Sequence, residues 1–179
     1  MEINKFIKRY DDILSLDLCD KIVTSAKKEK FKAAILSNSQ VDKTIRNCYM
    51  NKISEKFDNL VFKIVSKAIS QYCNDFKWCI NGIGSSVEDT GYMHLIYKGS
   101  ESGEYKMHVD HVDTHPRVLS CSLILNDNYD GGDFVFFDEK YLVKKKKGSI
   151  VMFPSNFCFP HAITPVSNGD RHAIITWIH

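Results

Sequence analysis

The spacing of apolar residues predicts two helices in the first part of the chain. Between Ser15 and Lys30, apolar side chains recur at intervals of three and four residues, which places them on one face of a helix. A second stripe of the same kind runs from Ser54 to Tyr72, and Ser54 is a suitable N-terminal cap. Both stripes are typical of helices that pack against a core.

After residue 76 the pattern changes to short β-branched and aromatic runs, which are separated by glycine, asparagine and proline. Such runs indicate antiparallel strands, and Gly131-Gly132 and Asn168-Gly169 supply the turn residues that hairpins require. The predicted strands lie near 78–84, 86–97, 104–110, 117–126, 133–137, 148–153, 161–164 and 171–178. The sequence therefore predicts an α+β fold, with a double-stranded β-helix (jelly-roll) core of about eight strands and N-terminal supporting helices.

Length and charge favour one enzyme-sized domain. The 179 residues are enough for a single core, so we expect one domain over 1–179, with helical support over about 1–76 and the jelly roll over about 77–179. The 24 basic and 22 acidic residues nearly balance, which gives no indication of a nucleic acid or acidic membrane partner. The run Lys144 to Lys147 is interpreted as a solvated turn.

The expected location is the cytoplasm. No stretch reaches the roughly eighteen apolar residues of a membrane span, and the first residues lack the apolar segment of a secretory signal. The six cysteines never occur at the two-residue spacing of a zinc knuckle. We expect them to be reduced thiols, most of them buried.

A possible metal site is formed by His108 and Asp110 together with His161. Residues two apart on a strand point to the same face, so the first two side chains can bind one ion together. Two imidazoles and one carboxylate on one side of iron(II) leave the opposite positions free for a cosubstrate and dioxygen. This combination predicts an iron-dependent enzyme.

The sequence contains a competing copy of this pattern at His111 and Asp113. Only one copy can face inward from a continuous strand. We choose the first copy because the second runs into a predicted turn at Thr114, His115 and Pro116. His111 and His115 are accordingly expected to be solvated loop residues.

An ordered series of motifs surrounds these residues from about Tyr97 onward, over nearly half of the chain. The series comprises GEYKMHVD at 103–110, Arg117 leading into LSCSLILN, GGDF at 131–134, KGSIVMFP at 147–154, His161, Pro165-Val166, Gly169-Asp170-Arg171 and Trp177. A lone His-x-Asp triplet occurs by chance, whereas this ordered series resembles the prolyl 4-hydroxylase branch of the 2-oxoglutarate and iron(II)-dependent dioxygenases. A weaker similarity to related small oxygenases covers Ile35 to Asn47.

The resemblance implies that His108, Asp110 and His161 bind iron(II), and that Arg171 pairs with the distal carboxylate of 2-oxoglutarate. Arginine suits this role because its planar fork matches a carboxylate in two hydrogen bonds. Tyr97 is expected to reach the same cosubstrate, and ascorbate is the expected reductant. Related halogenases carry a small residue where this chain has Asp110, so hydroxylation by dioxygen is expected, with succinate and carbon dioxide as co-products.

The resemblance also suggests a substrate, namely a prolyl residue in a peptide or protein. Tyr105 and Trp177 match positions where relatives flank the target proline with aromatic rings, and Arg117 and His179 match positions that contact the peptide backbone. The aromatic residues are equally consistent with core packing.

Two positions depart from the family pattern. Phe134 stands where several relatives have a hydroxyl residue near the distal carboxylate, and Ile124 stands where others have tyrosine. A hydroxyl partner for Arg171 is therefore not identified from the sequence.

Other functions remain as alternatives. The chain could be a jelly-roll module that binds metal or ligand without catalysis, or a dioxygenase that acts on another amino acid. An oxidative nucleic-acid demethylase is less favoured, because the second arginine of that group is missing from RHAIITWIH at the C-terminal end.

Overall fold

Two antiparallel sheets face each other, and two helices pack on the outer face of the larger sheet. The computed structural model of the chain describes residues 2–36, 39–79, 81, 88–112 and 116–179. The helices are α1 (Leu16–Ala26) and α2 (Glu55–Asp75), and single 3-10 turns occur at Ile3–Phe6 and Gly99–Glu101. The strands are β1 (Lys8–Tyr10), β2 (Lys32–Ala33), β3 (Arg46–Asn47), β4 (Tyr49–Lys52), β5 (Met93–Lys98), β6 (Glu104–His108), β7 (Leu119–Ile124), β8 (Asp130–Gly131), β9 (Phe134–Phe136), β10 (Tyr141–Val143), β11 (Ile150–Pro154), β12 (His161–Ile163), β13 (Val166–Asn168) and β14 (Asp170–Ile178).

The strand order is that of a jelly roll. The larger sheet has the order β1-β11-β7-β14-β5-β4-β2, and the smaller sheet has the order β10-β9-β12-β6-β3. Strands β8 and β13 form a separate two-stranded ribbon. The predicted α+β fold with a jelly-roll core and supporting helices is confirmed.

The helices begin and pack as the apolar pattern predicts. The Ser15 hydroxyl accepts a hydrogen bond from the Leu18 amide at 3.2 Å, which caps the first turn of α1. Ser54 is the N-cap residue of α2, although its side chain makes no capping hydrogen bond. The buried faces of the two helices consist of Leu18, Cys19, Ile22 and Ala26 in α1 and Val61, Val65, Ala68, Ile69 and Tyr72 in α2.

Alternation along the strands of the larger sheet produces two apolar cores. In β11, Ile150 and Met152 pack toward the helices, whereas Val151 and Phe153 pack toward the smaller sheet. The second core fills the interior of the jelly roll. Both faces of this sheet are covered, and β11 accordingly is apolar throughout.

The predicted strands from residue 86 onward are confirmed in existence, although most are shorter than expected. The predicted strand at 86–97 begins only at Met93. The prediction at 78–84 is not supported, because the described residues 78, 79 and 81 lie outside every strand, and the rest of that range lies outside the described residues.

The first 76 residues contribute four strands in addition to the predicted helices. Strands β1 and β2 lie at the two edges of the larger sheet, and β3 lies at one edge of the smaller sheet. None of the four exceeds four residues, so their hydrophobic alternation is too short to detect from sequence.

The lysine run connects β10 to β11 and is not a free basic surface. Lys145 donates hydrogen bonds to the carbonyls of Tyr129 and Gly131, and Lys147 pairs with Asp20 at 2.5 Å. Lys146 pairs with Asp11 and Asp12 near β1. In the turn that was expected to be solvated, two lysines thus form ion pairs and a third is hydrogen-bonded to backbone carbonyls. Among the described residues, no helix is long and apolar enough to cross a membrane.

Candidate metal centre and cavity

A cavity of about 530 Å³ lies between the two sheets. Three exposed apolar side chains, those of Ile35, Ile45 and Val109, belong to its lining. Eight of the nine site residues predicted from the sequence line it as well. These are Tyr97, Tyr105, His108, Asp110, Arg117, His161, Arg171 and Trp177.

Strand pairing brings His108 and His161 together. His108 is the last residue of β6, His161 is the first residue of β12, and the two are direct partners in the antiparallel register. Their ring centroids are 4.2 Å apart. Each Nδ1 atom lies at hydrogen-bond distance from the carbonyl two residues earlier, at 2.8 Å from Lys106 and 3.0 Å from Phe159. With Nδ1 as the donor, the Nε2 lone pair of each ring is free to bind an ion.

Asp110 completes the group, although it does not lie on the predicted strand. Strand β6 ends at His108, and Asp110 lies two residues further in an irregular segment. Its Oδ1 atom is 3.6 Å from Nε2 of His108, and its Oδ2 atom is 3.5 Å from Nε2 of His161. The candidate ligand atoms of the three residues all lie within 4.8 Å of one another. Side-chain contacts, rather than a strand ladder, thus hold the carboxylate in position.

Two serines support this carboxylate, Ser120 on β7 of the larger sheet and Ser155 just beyond the end of β11. The Ser120 hydroxyl donates to Oδ2 of Asp110 at 2.7 Å, and the Ser155 hydroxyl lies 2.7 Å from that of Ser120. If Ser155 donates to Ser120, each hydroxyl hydrogen has an acceptor. The sequence analysis missed both serines. The available signal was Ser120 in the largely apolar LSCSLIL segment, where a polar side chain on a buried strand requires a partner.

The protonation states suit a cation. Burial lowers the pKa of His161 to about 4, so its imidazole is neutral at pH 7. Burial opposes ionisation of Asp110, but the neighbouring His161, His108 and Ser120 outweigh it and lower the pKa of the carboxyl below its usual range. A carboxylate beside the neutral imidazole of His161 is a suitable state for binding a divalent ion.

Arg171 approaches the cavity from the larger sheet. It is 3% exposed and is the register partner of Tyr97, whose ring centroid is 5.1 Å from the guanidinium carbon. Behind it lies Tyr129, a buried residue that the sequence analysis missed. Burial raises the pKa of Tyr129, and Arg171 opposes that rise through its charge and a side-chain hydrogen bond. Lys145 lies over the same ring at 4.2 Å from its centroid.

The residues predicted to contact substrate make contacts with one another and with the metal centre. Tyr105 stacks on His108 with ring centroids 3.5 Å apart. The Arg117 guanidinium lies 3.7 Å from the centroid of a Trp177 ring and donates to the Asp110 carbonyl at 3.0 Å. Both pairs therefore connect the predicted substrate side of the cavity to the candidate ligands.

The structure does not bring the remaining candidate into the site. His179 is absent from the cavity lining as far as the chain is described, and its Nε2 atom lies 3.8 Å from Glu88. It lies just beyond β14, where its backbone N–H donates to the Glu88 carbonyl at 3.1 Å. His111 is exposed and lines the cavity, but it lies outside the metal-binding group. Asp113 and His115 fall outside the described residues.

Comparison with known proteins finds a similarity to one family. Residues 92–179 match the family described as the 2OG-Fe(II) oxygenase superfamily, and these residues include every strand that carries a candidate metal ligand. The matched segment, just under half of the chain, is similar to members of that superfamily. The prolyl hydroxylase-like resemblance expected from the sequence is confirmed.

Curated relatives match only part of this chain and only part of their own length. The PKHD-type hydroxylase YbiX of Shigella boydii is 38% identical over 93 residues, which cover 46% of this chain and 40% of the relative. The protein of the same name from Escherichia coli K12 gives the same identity and the same coverage. The match thus spans less than half the length of these relatives.

Solved structures of prolyl hydroxylases share the fold of this chain over nearly its whole length. A Trichoplax adhaerens prolyl hydroxylase, solved with a hypoxia inducible factor peptide fragment, has a TM-score of 0.76 at 20% identity and covers 97% of this chain and 83% of that one. A Pseudomonas putida prolyl-4-hydroxylase has a TM-score of 0.72 at 20% identity, with coverages of 97% and 92%. At such identities the likeness establishes the fold.

Proposed function

We propose that this chain is an iron(II)- and 2-oxoglutarate-dependent hydroxylase that acts on prolyl residues of a peptide or protein. One observation carries the proposal. A carboxylate and two imidazole nitrogens converge in the same cavity that receives the buried guanidinium of Arg171. The family match and the fold of its neighbours support the same chemistry.

The donor set fits iron(II). His108, Asp110 and His161 offer two nitrogens and one oxygen, the combination found in non-haem iron oxygenases with open coordination positions. The backbone carbonyls fix the imidazole tautomers, and Ser120 orients the carboxylate. These residues would hold the ion while leaving its opposite side toward the cavity.

The cavity also fits 2-oxoglutarate. Among the described residues, no carboxylate lies within ion-pair distance of Arg171, although its side chain is buried. A buried guanidinium without an anion is unfavourable, so the distal carboxylate of the cosubstrate is a suitable partner. We propose that Arg171 pairs with this group and that Tyr97 packs beside it. When bound, iron(II) and 2-oxoglutarate supply, with dioxygen, the oxygen atom that converts C–H to C–OH, with succinate and carbon dioxide as co-products.

The protein side chains supply position and shielding. Phe134, Phe136 and Phe153 surround the His161 ring at centroid distances of 4.7 to 5.5 Å, which excludes water from that side of the centre. We propose that Trp177 and Tyr105 contact the target residue and that Arg117 binds its backbone. The exposed apolar residues in the cavity lining are consistent with a peptide that enters from solvent.

Three further parts of the proposal extend beyond the site. Ascorbate is the proposed reductant, and the cytoplasm is the proposed location, supported by six cysteines that all carry free thiols. We also propose that residues 1–179 act as one domain. Strands β1 to β4 support this, because they extend both sheets of the jelly roll.

The decisive experiment offers proline-containing peptides to the purified protein with iron(II), 2-oxoglutarate and ascorbate. We expect succinate to form and one oxygen atom to be added at proline, as located by mass spectrometry. Asp110→Ala is the matched control and should give neither product. Absence of turnover with every peptide and small molecule in the panel would instead favour a binding module.

A further inference from the structure

A second buried arginine lines the cavity and is not used by the proposed reaction. Arg46 lies on β3, the edge strand of the smaller sheet, directly across from Tyr105 in the antiparallel register. Its side chain is only 8% exposed. Its guanidinium carbon lies 4.7 Å from the centroid of the Tyr105 ring, which in turn stacks on His108. Arg46 is thus separated from a candidate metal ligand by one aromatic ring.

The hydrogen-bonding capacity of Arg46 is only partly used. One terminal nitrogen donates to the Ile35 carbonyl at 2.8 Å, and the side chain also contacts the thiol of Cys48. The buried Nε atom has no hydrogen-bond partner. Within the part of the chain that the structure describes, no carboxylate lies within ion-pair distance of this guanidinium. A buried cation in this condition is costly unless an anion joins it.

A second cation lies near Arg46 in the same cavity. Arg117 lines the cavity and is close enough to Arg46 for the two charges to repel. Burial lowers the pKa of Arg117, the Asp110 carboxylate opposes this change, and the charge of Arg46 adds to it. Burial raises the pKa of Tyr105, and the charges of both guanidiniums oppose that rise. An anion bound near both arginines would relieve the repulsion.

The known partners of the proposed reaction do not supply that anion. Asp110 is a candidate metal ligand and already accepts a hydrogen bond from Ser120. The distal carboxylate of 2-oxoglutarate is assigned to Arg171, which approaches from β14 in the other sheet. Arg46 lies instead on the edge strand, and it is bonded to the backbone of Ile35, one of the exposed apolar residues of the lining. The unpaired guanidinium of Arg46 therefore lies near the exposed part of the cavity lining, where we expect a substrate to enter.

We propose that the substrate carries a carboxylate that binds at Arg46 and Arg117 beside the residue to be hydroxylated. The inference rests on the proposed hydroxylase function and specifies its substrate class. The carboxylate is either an aspartate or glutamate side chain next to the target proline or the free α-carboxylate of a C-terminal proline. Both sources present the same group to the arginines.

The experiment compares blocked peptides that differ only in this group. One pair has aspartate or asparagine immediately before the proline. The second pair ends in proline as the free acid or as the amide. We expect kcat/KM for hydroxylation to be about 10- to 100-fold higher for the charged member of one pair, and that pair identifies the source. Equal values within both pairs would overturn the proposal, and this comparison requires no variant.

Variants then locate the effect. Arg46→Gln should remove the preference for the charged peptide, and Arg46→Lys should retain part of it. Arg9→Gln is the matched control, because it removes an arginine that is bonded to Asp11 and lies outside the cavity lining. It should leave the preference unchanged. If Arg46→Gln raises the KM for 2-oxoglutarate and leaves the peptide preference intact, Arg46 belongs to the cosubstrate pocket and the proposal is wrong.

A binding measurement separates this inference from the proposed function. The same peptide pairs are titrated calorimetrically into protein loaded with Mn(II) and a 2-oxoglutarate analogue that cannot be decarboxylated. Charge-dependent binding without hydroxylation in the active assay would refute the hydroxylase function and leave the carboxylate site standing. Hydroxylation without any charge dependence in binding would refute the carboxylate site alone.

Discussion

At the scale of single residues, the candidate centre depends on which nitrogen each histidine presents. In both His108 and His161, the carbonyl two residues earlier lies within hydrogen-bond distance of Nδ1. The same local hydrogen bond therefore occurs at two histidines whose strands are distant in sequence. It fixes the ring and its tautomer before any ion binds, which reduces the entropy lost on coordination.

Removal of His161 tests this centre directly. We expect His161→Ala to weaken the binding of Mn(II), a spectroscopic substitute for iron(II), by more than about 100-fold, because a ligand is lost rather than an outer partner. His111→Ala should change Mn(II) affinity little, since His111 lies outside the metal-binding group. Electron paramagnetic resonance of free Mn(II) measures both affinities. The opposite result would show that the second His-x-Asp copy holds the ion.

A second prediction concerns Tyr129, which lies behind Arg171 rather than in the cavity lining of the described chain. Tyr129→Phe keeps the ring under Lys145 but removes the hydroxyl. We expect the KM for 2-oxoglutarate to rise by roughly 10-fold with a smaller change in kcat, because Arg171 loses a positioning contact. Ile124→Val is a suitable packing control on neighbouring β7. An unchanged KM in Tyr129→Phe would show that Arg171 is positioned by other contacts.

At the scale of strands and helices, the sequence predicted the elements whose periodicity is long enough to detect. Helices α1 and α2 were located from their apolar stripes, and β6 and β12 were located from runs that flank the histidines. The resemblance to the oxygenase family supplied nine candidate site residues. Eight of them line one cavity, because antiparallel pairing of β6 with β12 brings distant motifs together.

The parts that sequence could not predict depend on contacts between distant segments. Asp110 was expected on the strand with His108, but it lies beyond the strand end, where Ser120 and Arg117 hold it. Strand β3 has only two residues, so neither its pairing with β6 nor the burial of Arg46 leaves a periodic signal. Such features are determined by packing rather than by local pattern.

At the scale of the whole molecule, strand β14 links the cavity to the opposite face of the larger sheet. Arg171 lines the cavity, whereas the next residue, His172, contacts His94 of β5 through ring nitrogens 3.0 Å apart. His94 is 2% exposed and lies edge-on to Phe31. Three neighbouring charges affect the pKa of His172. Asp170 raises it, whereas Lys27 and Arg171 lower it. A histidine pair with one buried member, His94, and one half-buried member, His172, therefore lies next to the proposed cosubstrate anchor.

This pair should make the fold sensitive to acid. Burial lowers the pKa of His172 to about 4 and that of His94 to about 3, and each lies below the unfolded value of 6.5. The unfolded chain thus binds protons first as pH falls, so the stabilisation is complete above pH 6.5 and is lost progressively below it. Between pH 7 and 5 we expect the free energy of unfolding of the metal-free protein to fall by roughly 2 kcal/mol for each histidine.

Urea denaturation of two variants at pH 7 and pH 5 distinguishes titration from packing. His94→Gln removes one titrating group, so its free energy of unfolding should fall less between the two pH values than that of the wild type. Phe31→Leu disturbs the same cluster without removing a proton-binding site, so it should be less stable at both pH values with the wild-type difference between them. If His94→Gln shows the full wild-type loss, the acid sensitivity arises elsewhere, since a residue that cannot titrate cannot contribute to the slope.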